Sequence, residues 1–156
     1  MDIEIIKANP DSMPECVEAL EDSELGRRYF SSAGTAHKAL QEGFDKKQIY
    51  IAQDSQKNCL GFLWYVPDAM FHSFPFLHII AVKRQHRGKG IGKKMLGFFE
   101  DTCFESHSKV FLVVADFNPK AQKLYESMGY EKVGVIPGLY REGITENLMM
   151  KKRPDQ

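Results

Sequence analysis

An apolar run that passes abruptly into a basic, glycine-rich loop and then into helical spacing is the feature that most limits what this chain can fold into. Residues 76–82 are apolar enough to predict a central strand that is buried on both faces. Residues 83–94 are rich in Lys, Arg and Gly, and Ile91, Met95 and Cys103 then recur at helical spacing. The segment therefore predicts a strand, a basic loop and a helix, in that order.

The loop Arg87-Gly88-Lys89-Gly90-Ile91-Gly92 has glycine at three positions where the strand passes into the helix. The first N–H groups of a helix have no intrahelical partner, so they are free to bind an anion. Glycine lets the backbone close on a phosphate, and positive charge comes from Arg87, Lys89, Lys93 and Lys94. The loop predicts a pyrophosphate site; for an isolated glycine triplet, a basic, solvated helix start is the alternative.

Two other phosphate-binding loops are disfavoured by spacing. A Walker A loop needs four residues between its first glycine and a Gly-Lys pair, followed by Ser or Thr, whereas three residues separate Gly88 from Gly92 and Lys94 follows Lys93. A dinucleotide fingerprint needs its third glycine one residue later than Gly92. ATP hydrolysis and NAD chemistry are therefore not expected.

Segments with strand and helix patterns alternate along the rest of the chain. Strands are predicted at residues 3–8, 48–53, 59–66, 110–115, 130–136 and 146–152, and helices at residues 13–25, at 33–44 and from Asn118 to a cap at Gly129. Residues 67–75 predict a loop. Because the sequence has no internal repeat or linker, residues 1–156 are expected to form a single domain.

Composition narrows the classes of function and location. The 21 basic and 21 acidic residues cancel, so no global field favours nucleic acid or an anionic membrane. Cys16, Cys59 and Cys103 lie far apart in sequence without metal-ligand or redox-couple spacing, so they are expected to be reduced thiols and no metal is expected. No signal peptide and no apolar run of about 20 residues is present, which favours a soluble, cytoplasmic protein.

Two motifs in this order resemble those of the GNAT acyltransferase superfamily. Its acyl-CoA motif is Arg or Gln, two residues, Gly, one residue, then Gly or Ala, and Arg87, Gly90 and Gly92 match it. The preceding strand ends with Ala81-Val82 at the family's usual distance from that arginine. The segment Asn118-Pro119-x-Ala121-x-x-x-Tyr125-x-x-x-Gly129-Tyr130 resembles the second motif. The resemblance is strong over residues 76–130.

The resemblance implies an α/β fold of the α+β type: a mixed, mainly antiparallel sheet of six to seven strands with helices on both faces. Strands four and five, residues 76–82 and 110–115, would splay apart around the pantetheine arm of acetyl-CoA, the acyl donor. The residues implied to bind acetyl-CoA are Ile80, Ala81, Val82, Arg87, Gly88, Lys89, Gly90, Ile91, Gly92, Lys93, Asn118, Ala121 and Tyr125. A helix cap is an alternative role for Asn118.

The same resemblance implies transfer of the acetyl group to a primary amine by direct attack on the thioester. Tyr125 resembles the family's general acid, although it would also pack beside Leu124. The general base varies in this family. His78 resembles the second histidine of the pair in arylalkylamine acetyltransferases, whose first is replaced here by Phe76; His72 and a water relay are the alternatives.

The acceptor is only broadly constrained. Aromatic residues suited to an apolar acceptor pocket are Trp64, Tyr65, Phe71, Phe74 and Phe76, and acidic residues suited to a cationic amine, or simply to a solvated helix face, are Glu15, Glu18, Glu21, Asp22 and Glu24. The expected partner is an amine-bearing small molecule, a protein N-terminus or a lysine, for a monomer or homodimer that binds neither nucleic acid nor membrane. The alternative function is a non-catalytic CoA-binding sensor or interaction module.

Overall fold

The computed structural model describes residues 2–155, in which seven strands and five α-helices are formed. The strands are β1 (Glu4–Lys7), β2 (Ile49–Gln53), β3 (Cys59–Met70), β4 (Phe74–Val82), β5 (Lys109–Ala115), β6 (Glu131–Pro137) and β7 (Thr145–Lys152). The helices are α1 (Met13–Glu21), α2 (Glu24–Tyr29), α3 (Thr35–Asp45), α4 (Ile91–Phe104) and α5 (Pro119–Ser127). Short 3₁₀ turns occupy Pro10–Ser12 and Arg84–His86.

The strands form one mixed sheet in the order β1-β2-β3-β4-β5-β7-β6. β1 with β2, β2 with β3, β5 with β7 and β6 with β7 are antiparallel, whereas β4 and β5 are parallel. The parallel register comprises Phe76 with Phe111 and Leu77 with Leu112, although β4 runs on to Val82 and β5 to Ala115. The predicted fold class, a mixed and mainly antiparallel α/β sheet, is confirmed, and its fourth and fifth strands form the parallel pair.

The chain divides into two compact units. The first unit comprises the residues up to Tyr65 together with Ile79–Phe99, and its core contains Leu20, Leu40, Met95 and Phe99, all buried. The second unit comprises Val66–His78 together with the residues from Glu100 onward, and Leu112 and Met149 lie in its core. Whether these units act as the single domain expected from the sequence stays a prediction.

Two predicted boundaries are wrong. Residues 67–75, predicted as a loop, belong mostly to β3 and β4, which meet at a tight turn where Phe71 and His72 both have positive φ. Strand pairing in the hairpin outweighs the weak local preference of this segment. The predicted helix at residues 13–25 divides at Ser23, whose extended backbone and side chain cap α2 by accepting a hydrogen bond from the Gly26 amide at 2.9 Å.

The structure also brings together two cysteines that are distant in sequence. Cys16 and Cys59 are both buried and their thiols are hydrogen-bonded; this bond and burial raise the pKa of Cys16. Burial alone raises the pKa of Cys103 to about 12. Cys16 and Cys103 therefore stay protonated at neutral pH. Among the described residues, no helix combines the length and apolar character that a bilayer crossing requires.

Candidate active site

The three glycines of the loop in the first unit differ in whether their backbone conformation requires glycine. Gly88 and Gly90 have φ of +78° and +79°, a left-handed conformation that disfavours any residue with a Cβ. Gly92 lies in the first turn of α4 and has no such φ; a Cβ added there would meet only the Val82 side chain, at 3.9 Å. Neither backbone conformation nor crowding within the protein therefore requires glycine at position 92. Because Gly92 has no side chain, the space in front of the helix start stays open.

The start of α4 presents unpaired amides and positive charge. The Lys94 amide donates the first bond of the helix, to the Gly90 carbonyl at 3.1 Å, so the N–H groups of Ile91, Gly92 and Lys93 precede the intrahelical ladder. Within residues 2–155, none of the side chains of Lys89, Lys93 and Lys94 is paired with a carboxylate, and all three are exposed. The helix dipole, the amides and the lysines together favour the binding of an anion at the start of α4.

Arg87 uses its guanidinium differently from the lysines around it. Its Nε donates to the Val82 carbonyl at 3.2 Å, and its Nη2 donates to the carbonyl of Asp22 at 2.8 Å. Asp22 is the C-terminal cap of α1, so Arg87 links the end of β4 to the end of that helix. The sequence predicts the position of Arg87 but not this pair of backbone partners.

Lys83, immediately after β4, pairs with two of the acidic residues of α1. Its Nζ lies 2.8 Å from Glu15 Oε2 and 3.7 Å from Glu18 Oε2, and Lys83 itself is buried. Burial opposes the charged form, but the hydrogen bond and the charges of the two carboxylates outweigh it and raise the pKa of Lys83. Glu24 pairs with Arg27 at 3.6 Å, so three of the five acidic residues considered for a cationic acceptor have an internal partner already.

β4 alternates between a buried and a half-buried face, so the prediction of burial on both faces is wrong. Leu77, Ile79 and Ala81 are buried, whereas the other face is half-exposed and carries Phe74, Phe76, His78, Ile80 and Val82. The Ala81 side chain thus lies on the covered face, away from Ile80 and Val82. The half-exposed face offers an apolar strip with one imidazole, whose ring centroid lies 5.9 Å from that of Phe76.

The other aromatic residues predicted to line an apolar acceptor pocket differ in their exposure. Trp64 is a core residue whose Nε1 donates to Gln48 Oε1 at 2.9 Å, and Tyr65 is buried as well. Phe71 is 76% exposed at the tip of the β3–β4 hairpin, beside the exposed His72. An exposed ring at a turn does not line an apolar pocket, which leaves Phe74 and Phe76 as the half-buried aromatic residues of this set.

Asn118 caps α5, the alternative that the sequence left open. Its Oδ1 accepts a hydrogen bond from the Ala121 amide at 3.2 Å, and its own amide donates to the Ala115 carbonyl at 3.0 Å. The cap positions the first turn of the helix directly after β5. One turn beyond Ala121, Tyr125 is half-buried, and desolvation by the surrounding protein raises the pKa of Tyr125 to about 12.

Tyr125 is packed against a polar cluster that sequence reasoning missed. Its ring meets the ring of Tyr130 edge-on, with centroids 5.8 Å apart. The Tyr130 hydroxyl donates to Glu100 Oε2 at 3.0 Å, and Lys151 Nζ donates to Glu100 Oε1 at 2.7 Å. A signal for this cluster existed, since Glu100 is a charged residue on the helix face that also carries Leu96 and Cys103.

No metal centre accompanies these features: among residues 2–155, no group of three or more His, Cys, Asp or Glu side chains is placed to hold a metal ion. The half-exposed end of β4 and the glycine loop lie in the first unit. His78, Asn118, Ala121 and Tyr125 lie in the second unit.

Known proteins resemble this chain in sequence and in fold. Residues 16–130 match the model of the acetyltransferase (GNAT) family. An uncharacterised N-acetyltransferase of Methanocaldococcus jannaschii is 37% identical over 82 residues, which cover 50% of this chain and 53% of that protein. The spermidine N(1)-acetyltransferase of Vibrio cholerae is 31% identical over 87 residues, 54% of this chain and 50% of that protein. A crystal structure of a GNAT-family acetyltransferase from Bacillus cereus has a TM-score of 0.79 and 20% identity, and the match covers 99% of this chain and 100% of that one.

The coverage and the sequence identity of each match decide what it shows about this chain. The chain spans about half the length of these two curated relatives, and the crystal structure, at 20% identity, supports the fold alone. The family model, however, covers most of the chain, including the glycine loop and the segment that contains Asn118 and Tyr125. The chain therefore belongs to the GNAT family of acetyltransferases.

Proposed function

We propose that this protein transfers an acetyl group from acetyl-CoA to a primary amine by direct attack of the amine on the thioester. The observation that carries the proposal is the start of α4, where the amides of Ile91, Gly92 and Lys93 precede the helical ladder. The neighbouring lysines have no carboxylate partner among the residues that the structure describes. A diphosphate matches that combination of donors and charge.

In this proposal, backbone groups of Ile80 and Val82 bind the pantetheine arm, and amides from Gly88 to Lys93 bind the diphosphate. The half-exposed face of β4 supports the first assignment, because an extended backbone beside open apolar side chains suits a long, mostly apolar arm with two amides. Ala81 contributes its backbone, since its side chain is covered. Arg87 contributes by fixing the loop rather than by adding a free charge.

The acceptor amine must lose a proton before it attacks. A lysine-like amine with a pKa of about 10.4 is cationic at pH 7, and exposing its lone pair costs about 4 to 5 kcal/mol. We propose His78 as the general base, acting directly or through a water relay. His78 stands on the half-exposed face of β4, where its ring contacts Phe76.

Attack forms a bond between the amine nitrogen and the thioester carbonyl carbon, and the carbon–sulfur bond then breaks to release the CoA thiolate. We propose that Tyr125 stabilises that thiolate. Because the pKa of Tyr125 is raised to about 12, complete proton transfer to a thiolate of pKa about 8.5 is uphill by about 5 kcal/mol. Tyr125 is therefore best suited to donate a hydrogen bond to the sulfur as negative charge develops.

The acceptor is proposed only as a class, an amine of a small molecule or of a protein N-terminus or lysine. A spermidine acetyltransferase among the relatives supports trying polyamines first. The pairing of Glu15 and Glu18 with Lys83 leaves Glu21 as the exposed acidic residue of α1 without a cation within 4 Å among the described residues.

The test combines calorimetry with a turnover assay. Acetyl-CoA is expected to bind the purified protein at modest salt, and a panel of polyamines, amino acids and peptide N-termini is expected to contain an amine that releases free thiol. Binding without thiol release from any amine would instead favour a CoA-binding sensor. Absence of binding by both CoA and acetyl-CoA would overturn the proposal.

A further inference from the structure

The C-terminal end of α5 is held by a backbone motif that joins Tyr125 to Tyr130. The Tyr130 amide donates to the Tyr125 carbonyl at 3.0 Å, and the Gly129 amide donates to the Glu126 carbonyl at 3.1 Å. With Gly129 at φ +97°, these two bonds form a Schellman motif. The backbone position of Tyr125 is therefore tied to that of Tyr130.

The side chains of Tyr125 and Tyr130 are in contact as well. The rings of Tyr125 and Tyr130 meet at 63°, an edge-on contact of the kind that aromatic pairs prefer. Tyr130 is only 3% exposed, and its hydroxyl is directed to Glu100 Oε2. Any movement of the Tyr130 ring would remove one wall of the space in which the Tyr125 phenol sits.

Glu100 is itself held by a cation from a distant strand. Lys151, on β7, reaches Glu100 Oε1 at 2.7 Å, and its ammonium lies 5.9 Å from the centroid of the Tyr130 ring. Its stem runs across Gly129, where a Cβ would come within 3.3 Å of Lys151 Cε. Glu100 and Lys151 have side chains that are only 10% and 18% exposed, and a buried ion pair is a poor device for stability alone.

We propose that Tyr130, Glu100 and Lys151 are positioning residues for Tyr125, which orient its phenol through the ring of Tyr130. The proposal rests on the proposed function only in giving Tyr125 its catalytic role. Tyr130 carries the orientation through its backbone and ring contacts, and Glu100 fixes Tyr130. Lys151 holds Glu100 Oε1 at 2.7 Å and so fixes the carboxylate that accepts the hydrogen bond of Tyr130.

A double-mutant cycle tests this role by turnover. Tyr130→Phe keeps the ring but removes the bond to Glu100, and we expect kcat to fall about 10-fold with the Kd for acetyl-CoA unchanged. In a Tyr125→Phe background, Tyr130→Phe should have no further effect on kcat. Equal losses of kcat in both backgrounds would show a role that does not pass through Tyr125 and would overturn the proposal.

Substitutions of Lys151 provide a second arm of the test. Lys151→Met is expected to lower kcat, whereas Lys151→Arg, which keeps the cation, should retain most of it. Because Lys151→Met leaves Tyr130 intact, this arm decides the question if Tyr130→Phe fails to fold. Equal kcat for Lys151→Met and wild type, in folded protein well below the unfolding temperature, would contradict the proposal.

A measurement on the resting protein separates this inference from the proposed function. With tyrosine labelled at ¹³Cζ, the Tyr125 resonance is identified by its loss in Tyr125→Phe. It should shift or broaden in Tyr130→Phe and in Lys151→Met, and stay in place in the control Tyr50→Phe. A Tyr125 resonance unmoved in both variants overturns the positioning role even if the enzyme is active, whereas movement without thiol release from any amine overturns only the catalytic proposal.

Discussion

The glycine loop and the end of α5 achieve their geometry in opposite ways. The loop is local: Gly88 and Gly90 supply left-handed backbone, and α4 begins one residue later. The end of α5 depends on partners far along the chain, since Tyr130 bonds a carboxylate 30 residues away and Lys151 reaches that carboxylate from 51 residues away. A backbone anion site can be made from adjacent residues, whereas a phenol needs side chains from several elements to be oriented. Variants in the two regions should therefore fail differently.

Tyr125→Phe should give the largest effect and should separate chemistry from binding. Removing the hydroxyl takes away the donor to the leaving thiolate, so we expect kcat to fall about 100-fold. The Kd for acetyl-CoA, measured by calorimetry, should change less than about twofold, because the binding energy is assigned to the loop amides. Tyr50→Phe, which removes a phenol hydroxyl from the first unit, is the matched control and should keep wild-type turnover. Wild-type kcat in Tyr125→Phe would exclude this role as a hydrogen-bond donor to the thiolate.

The contrast between the regions also explains what the sequence could predict. The strand-loop-helix at residues 76–104 and the Asn118 cap follow from short-range patterns, because helix starts and phosphate loops are made by adjacent residues. The Glu100–Lys151 pair and the two backbone partners of Arg87 depend on tertiary packing, which spacing along the chain does not encode. His78 is intermediate: its strand was predictable, but the half-exposed face it occupies was not.

Gly129→Ala tests whether the end of α5 needs glycine for two separate reasons. A Cβ would be strained at φ +97° and would crowd Lys151 Cε at 3.3 Å, so we expect a loss of about 2 to 3 kcal/mol in the free energy of unfolding. Gly143→Ala is the matched control: it has φ +84° but open space around it, and should lose about 1 kcal/mol. Urea unfolding measures both. Equal losses would mean that Lys151 is not crowded at Gly129.

Gly92→Ala probes the open space at the start of α4. A methyl group there fits the protein, with its nearest neighbour at 3.9 Å, but would stand before the amides proposed to bind the diphosphate. We expect acetyl-CoA to bind about 10-fold more weakly, with stability equal to or slightly above wild type because alanine favours helix. Gly97→Ala, in the same helix and also uncrowded, should gain stability without losing affinity. Wild-type affinity in Gly92→Ala would remove the main support for this binding site.

Lys83→Met should have the smallest effect, because its carboxylate partners can return to water. Glu15 and Glu18 have side chains 47% and 51% exposed, so we expect a loss of only about 1 kcal/mol at pH 7. Since the pKa of Lys83 is raised above its ordinary value, the pair contributes fully below the unfolded pKa of about 10.4 and is lost as pH rises through the folded pKa. The stability difference between wild type and Lys83→Met should therefore hold from pH 7 to about pH 10 and shrink above it. Lys46→Met breaks an exposed pair with Glu42 and should change stability by less than about 0.5 kcal/mol; a loss as large as that of Lys83→Met would show that burial of Lys83 adds nothing.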